Sequence, residues 1–107
     1  MDSWEIGALG VEPHHPQVLR TDDHGRAIAI QLPAGEELQE HRTHEAAYLM
    51  VVAGRVEIVQ DGHSTAGGPG FFAHFQPAET REVRAREDSR LVLLLTPWPG
   101  VGHQTGA

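Results

Sequence analysis

Apolar residues recur at every second position in several short runs of this 107-residue chain. In residues 26–32, Ile28, Ile30 and Leu32 share one face, the two-residue period of a half-buried strand. An apolar run from Tyr48 to Val52 stops at Ala53 and Gly54, and the alternating run 55–59 follows and ends at Asp61-Gly62. Two such runs joined by a short glycine turn predict a β-hairpin. Residues 18–20 lead into the turn-forming stretch Thr21, Asp22, Asp23, His24 and Gly25. In residues 71–75 one face carries Phe71, Ala73 and Phe75, and the other carries Phe72 and His74, followed by Gln76. Residues 81–86 set Val83 and Ala85 on the face of Arg81. The continuous apolar run 91–95 predicts a strand covered on both faces.

Short strands parted by turn signals predict an all-β sandwich or barrel. Residues 36–47 are ambiguous. A helix there would bring His41, His44 and Glu45 to one face, but Leu38 has no apolar partners at helical spacing before Ala46. The segment is therefore read as strand and turn. In an extended chain His41 and His44 point to opposite faces. Residues 1–16 form an N-terminal arm, in which Trp4 and its apolar neighbours predict a short edge strand docking on the body or on a second subunit. Pro13 and Pro16 exclude regular structure around His14 and His15, which read as a solvated turn. Residues 67–70 make a tight turn with no phosphate-loop lysine. The tail, 97–107, is too rich in proline and glycine for a regular element, and Trp98 is expected to pin it to the body.

Length and composition bound the chemistry. The chain suffices for one domain, 1–107, with a single core. A formal charge of −7 disfavours nucleic acid or an anionic membrane as partner. There is no lysine for a Schiff base and no cysteine for a disulfide, thiolate ligand or nucleophile. Residues 1–10 lack a signal-peptide core and the longest apolar run is too short to span a bilayer, so a cytoplasmic protein is expected.

The stretch from Gly35 to Gly54 resembles the first motif of the single-domain cupins: Gly, five residues, His-x-His, three or four residues, Glu, six residues, Gly. Gly35 and His41 fit the opening and Gly54 fits the close. Thr43 stands at the second histidine position and Ala47 at the glutamate. The second motif, counted from Gly70, places Gln76 at the proline, Ala78 at the glycine and Arg81 at the histidine. The resemblance spans roughly residues 28–96. It implies a double-stranded β-helix, a jelly-roll barrel in which His41, Thr43, Ala47 and Arg81 converge. One imidazole, a hydroxyl, a methyl and a fixed guanidinium make a poor metal site. No metal cofactor is therefore expected.

Two functions from different classes follow. The first is a non-enzymatic cupin that binds a small carboxylate or similar anion through His41, Thr43, Tyr48, His74 and Arg81. Arg81 would meet an internal carboxylate such as Glu37 or Glu45, or an anionic ligand. A protonated His41 would strengthen binding as pH falls through about 6.5. The second is a metal-dependent enzyme of the dioxygenase or isomerase kind, holding iron, manganese, nickel or zinc on relocated ligands His41, His44 and His74. The resemblance also implies a homodimer, with the N-terminal segment as its pairing edge.

Overall fold

The computed structural model describes residues 1–38 and 44–100. Their only helical element is one 3-10 turn, Ile6–Ala8, and nine strands follow: β1 Gln17–Asp22, β2 Gly25–Leu32, β3 Glu37–Leu38, β4 Ala46–Ala53, β5 Val56–Gln60, β6 His63–Gly67, β7 Phe72–Phe75, β8 Glu82–Ala85 and β9 Ser89–Thr96. They form a five-stranded sheet in the order β1-β2-β9-β4-β7 and a four-stranded sheet in the order β3-β8-β5-β6. All the paired strands run antiparallel. Among the described residues no helix is long and apolar enough to cross a membrane.

Strand phase decides the core. Ile30 and Leu32 of β2, Leu49 and Val51 of β4, and Leu91, Leu93 and Leu95 of β9 are all buried. They meet Val56 and Ile58 of β5 and Val83 and Ala85 of β8 in one cluster between the sheets. Burying each larger side chain contributes about 1.5–3 kcal/mol. β4 and β5 do not pair and belong to different sheets, so the Gly54 turn carries the chain from one sheet to the other and the hairpin expected there is corrected. In that turn Gly54 has φ +88°, and a Cβ there would overlap the Asp88 carbonyl oxygen and Ser89 Oγ and stand 2.7 Å from Ser89 Cα. β5 and β6 meet at Asp61 (φ 51°) and Gly62 (φ 77°), both positive as a primed two-residue turn requires.

Three expectations are corrected. The arm contributes no strand. Residues 6–8 form the 3-10 turn instead, held where Arg90 Nη1 donates to the carbonyls of Ile6 (2.7 Å) and Leu9 (2.9 Å). The two prolines leave residues 9–16 without a regular element. Second, β9 is not covered on both faces: Leu91, Leu93 and Leu95 face the core, while Leu94 on the other side is 38% exposed. An unbroken apolar run carries no phase that could mark one face as bare. Third, the hairpin joins β5 to β6 (His63–Gly67) and not β4 to β5, although the first four side chains of β6 are exposed and show no apolar alternation that could mark it as a strand.

Candidate ligand site at one end of the barrel

Directly paired residues of antiparallel strands lie on the same face of the sheet. Phe75 pairs with Ala47, Ala47 with Leu95, and Leu95 with Arg26. Phe75, Ala47 and Leu95 are buried, so this row lies on the inner face of the five-stranded sheet and continues to Arg26. Glu45, two residues before Ala47, is 1% exposed. Arg81, two residues before Val83, is 7% exposed. The expectation that Arg81 shares the inward phase of Val83 and Ala85 holds, since all three are buried.

Both arginines lie over aromatic rings. The Arg81 guanidinium carbon stands 4.7 Å from the centroid of Phe75, and that of Arg26 stands 4.7 Å from Trp98. Such stacking suits a planar, weakly hydrated cation. Trp98 packs against the core cluster, so the expectation that it pins the tail holds for the described part of the tail. Residues 97–100 then cross this end of the barrel, where the Gly100 amide donates to the Glu45 carboxylate at 2.7 Å. The approach is close: a Cβ on Gly100 would overlap the His44 carbonyl oxygen and stand 3.0 Å from Glu45 Oε2.

Burial pushes the Arg81 pKa down from its ordinary value, and the Glu79 carboxylate acts in the opposite direction. A guanidinium starts so high that it stays charged at neutral pH. Glu79 is itself fixed in the preceding turn, accepting from the Gln76 amide at 2.7 Å and from Gln60 Nε2 at 2.6 Å. Glu37, one of the two carboxylates expected to meet Arg81, accepts from Arg84 Nη2 at 3.1 Å on the exposed side of β3 and β8.

The structure divides the set of candidate residues that the sequence suggested. His41 and Thr43 lie outside the described residues. Arg81 is on the inner face, as expected. Tyr48 and His74 pair with each other across β4 and β7, one position out of phase with Ala47 and Phe75, and so occupy the outer face. Their rings are 4.8 Å apart, and His74 is exposed. Placing them in one pocket with Arg81 is therefore corrected: a one-residue offset in a strand reverses the face. Arg26 and Phe75 are the inner-face residues that the sequence reading left out of the site. The phase set by Ile28, Ile30 and Leu32 already points Arg26 inward.

A divalent metal needs several donor side chains converging on one point. Two of the four motif positions are described, and they present the fully buried methyl of Ala47 and the inward guanidinium of Arg81. Neither can ligate a cation, and the second repels one. The relocated set does not converge on the interior either, because His74 faces out. Among the described residues no group of three histidine, aspartate or glutamate side chains could hold a metal ion. The described residues on the inner face do not fit a metal centre.

A family model for the cupin domain matches residues 29–97. No curated protein matches the chain. Among solved structures, an RmlC-like cupin protein from Desulfovibrio desulfuricans superposes with TM-score 0.80 at 19% identity, covering 91% of this chain and 97% of its own. A cupin superfamily protein from Desulfitobacterium hafniense gives TM-score 0.77 at 10% identity over 86% of both chains. An RmlC-like cupin with a double-stranded β-helix fold from Methanocaldococcus jannaschii gives 0.70 at 17% identity, over 78% of this chain and 80% of that one. At these identities the superpositions speak to fold alone.

Proposed function

Because the chain belongs to the cupin family, we propose that its barrel binds a small carboxylate or similar anion through Arg81, without a metal and without catalysis. The observation that carries this reading is the placement of Arg81: a charged guanidinium on the inner face, stacked on Phe75, where the motif has a metal-binding histidine. Guanidinium and carboxylate match in planar, two-pronged geometry, and the bond strengthens where water is excluded. Arg26, on the same inner row, supplies a second cation, and Phe75 and Trp98 supply flat apolar walls. The chain has no lysine or cysteine, and Arg81, Arg26, Phe75 and Trp98 offer recognition and no nucleophile. His41 and Thr43 belong to the proposal through the motif. The protein acts as a homodimer in the cytoplasm on this reading.

The test is thermal unfolding with a panel of small carboxylates. A ligand at ten times its Kd stabilises by about 1.4 kcal/mol, which raises Tm by about 6–11 °C in a domain of this size. The rise should be larger at pH 6 than at pH 8, where His41 loses its proton. Arg81→Ala should abolish it and Arg81→Lys should keep part of it. An unchanged carboxylate response in a folded Arg81→Ala protein would sink the proposal. So would a stoichiometric transition metal that survives dialysis.

A further inference from the structure

Arg20, Arg84 and Arg86 each pair with a carboxylate on the surface, and Arg90 donates to Gln31 and to two backbone carbonyls. Arg26 is different. It is half-buried, and among the described residues no carboxylate, amide oxygen or carbonyl accepts from it. Its contact is the face of Trp98, with 4.7 Å between the guanidinium carbon and the ring centroid. Strand phase fixes the direction of the side chain. Ala27 pairs with Leu94, which points outward, whereas Arg26 pairs with the buried Leu95. Arg26 therefore leaves β2 on the inner face.

Trp98 holds it there. The ring packs on the core, and its segment is tied to Glu45 through the Gly100 amide. A ring covers one flat side of a guanidinium and leaves the N–H groups along its edge, which take a carboxylate in two-pronged fashion. A cation positioned in advance makes an anion subsite, because less freedom is left to lose on binding. Arg81 has the same arrangement on Phe75, again with 4.7 Å to the ring centroid. Phe75 and Arg26 stand three interstrand steps apart on one row, β7 to β4 to β9 to β2. At about 4.8 Å per step that is about 14 Å at the backbone.

We propose that the ligand of this barrel is a dicarboxylate, anchored at one end by Arg81 and at the other by Arg26. It rests on the carboxylate reading of Arg81 above and adds to it a second charge and a second anchor. The separation of the two cations selects this class. Oxalate or phosphate gathers its charge at one place and meets one arginine, not both. A molecule that meets both has two anionic ends with carbon between them, and the rings of Phe75 and Trp98 suit an apolar spacer. Arg26 is then a specificity residue: it discriminates between two charged ends and one, while Arg81 binds either.

Calorimetric titration of the chain with straight-chain dicarboxylates from oxalate to sebacate tests the assignment, each beside the monocarboxylate of the same carbon number. One length should bind best, about 10- to 100-fold more tightly than its monocarboxylate, the worth of one hydrogen-bonded contact to a charged group. Arg26→Gln should bring that dicarboxylate down to the monocarboxylate level and leave the affinity for the monocarboxylate unchanged. Arg26→Lys keeps the charge without the fork and should fall between the two. Dicarboxylates that bind no more tightly than monocarboxylates at every length in the wild type overturn the inference and leave the Arg81 reading standing, a result that needs no variant to fold. An Arg26→Gln protein with native circular dichroism also overturns it if both classes weaken equally, which returns Arg26 to a structural role beside Trp98, or if neither weakens. Wild type that binds neither class overturns the Arg81 reading and the dicarboxylate with it.

Discussion

Gly54→Ala is the substitution whose cost the structure defines best. Gly54 turns the chain from β4 into β5 with φ +88°, and that conformation costs an alanine about 1–2 kcal/mol. The new methyl would also overlap the Asp88 carbonyl oxygen and Ser89 Oγ, and would stand 2.7 Å from Ser89 Cα. Two of these three atoms are backbone, so the turn between β8 and β9 must move rather than a side chain swing aside. That turn is tied to Arg55 by the Arg86 amide at 2.8 Å and by Ser89 Oγ at 3.2 Å, both donating to the Arg55 carbonyl. Each bond is worth about 1 kcal/mol. Strain and lost bonds together come to about 3–4 kcal/mol, a large share of the 5–15 kcal/mol typical of a domain. Tm should fall by about 15–25 °C. Gly62→Ala is the internal control. It has φ +77° in the β5–β6 hairpin, but no atom lies within 4 Å of its Cβ position, so it bears the backbone strain alone. Thermal circular dichroism of the two variants should separate them by at least about 8 °C. Equal losses would refute the reasoning, because they would mean that the approach of the β8–β9 turn to Gly54 has no energetic consequence.

Leu49→Ala should cost about 2–5 kcal/mol in chemical denaturation with little change in the denaturant slope, since Leu49 is 1% exposed at the centre of the sheet between Leu93 and Ala73. Acid should destabilise the fold below the ordinary carboxylate range. The Asp22 pKa is held down first by the His24 amide and then by Arg20, and that of Glu57 by Ser64 and Arg86. In this range the folded state binds fewer protons than the unfolded one, so the stabilisation is complete at neutral pH and is lost as pH falls through the lowered values. Asp22→Asn should flatten the acid limb of a pH–stability curve, and an identical limb in that variant would remove Asp22 from the account.

Much of the fold was legible because a strand writes its phase into the sequence at every second residue. The inward positions of β2, β5 and β8 follow from Ile28 and Ile30, Val56 and Ile58, and Val83 and Ala85. The same phase sends Arg81 inward, which is why a buried guanidinium could be anticipated. Phase within one strand says nothing about which neighbour it meets. Only the pairing of Tyr48 with His74, and of Ala47 with Phe75, separates the outer pair from the inner row. Only the pairing of Arg26 with Leu95 carries Arg26 to the end of the barrel where Phe75 lies. In β9 the apolar run has no phase to read, so the bare outer face that exposes Leu94 was hidden by its own composition. The Gly35–Gly54 and Gly70–Arg81 spacings identified the family while their ligand positions argued against its metal, because turn glycines answer to backbone geometry and ligands answer to chemistry.

The tie between Glu45 and Gly100 bears on the end of the barrel that holds Arg81. Glu45 is almost wholly buried and accepts the Gly100 amide at 2.7 Å, while Gly100 lies so close to the His44 carbonyl that no side chain fits there. The chain from Pro97 to Gly100, with Trp98 packed on the core, is thus fastened at two points across that end. A hydrogen bond to a charged acceptor contributes about 1.5–3 kcal/mol, and a buried donor left without its acceptor adds a desolvation cost. Glu45→Ala should therefore let the Gly100 amide open more often, by about 10- to 100-fold at 1.4 kcal/mol per decade. Glu45→Gln keeps an acceptor oxygen without the charge and should fall between the two. Hydrogen exchange followed by NMR reads this at a single amide, with Leu49 in the core as reference. If the Gly100 amide exchanges at the same rate in all three proteins, the Glu45 carboxylate contributes nothing to holding the segment.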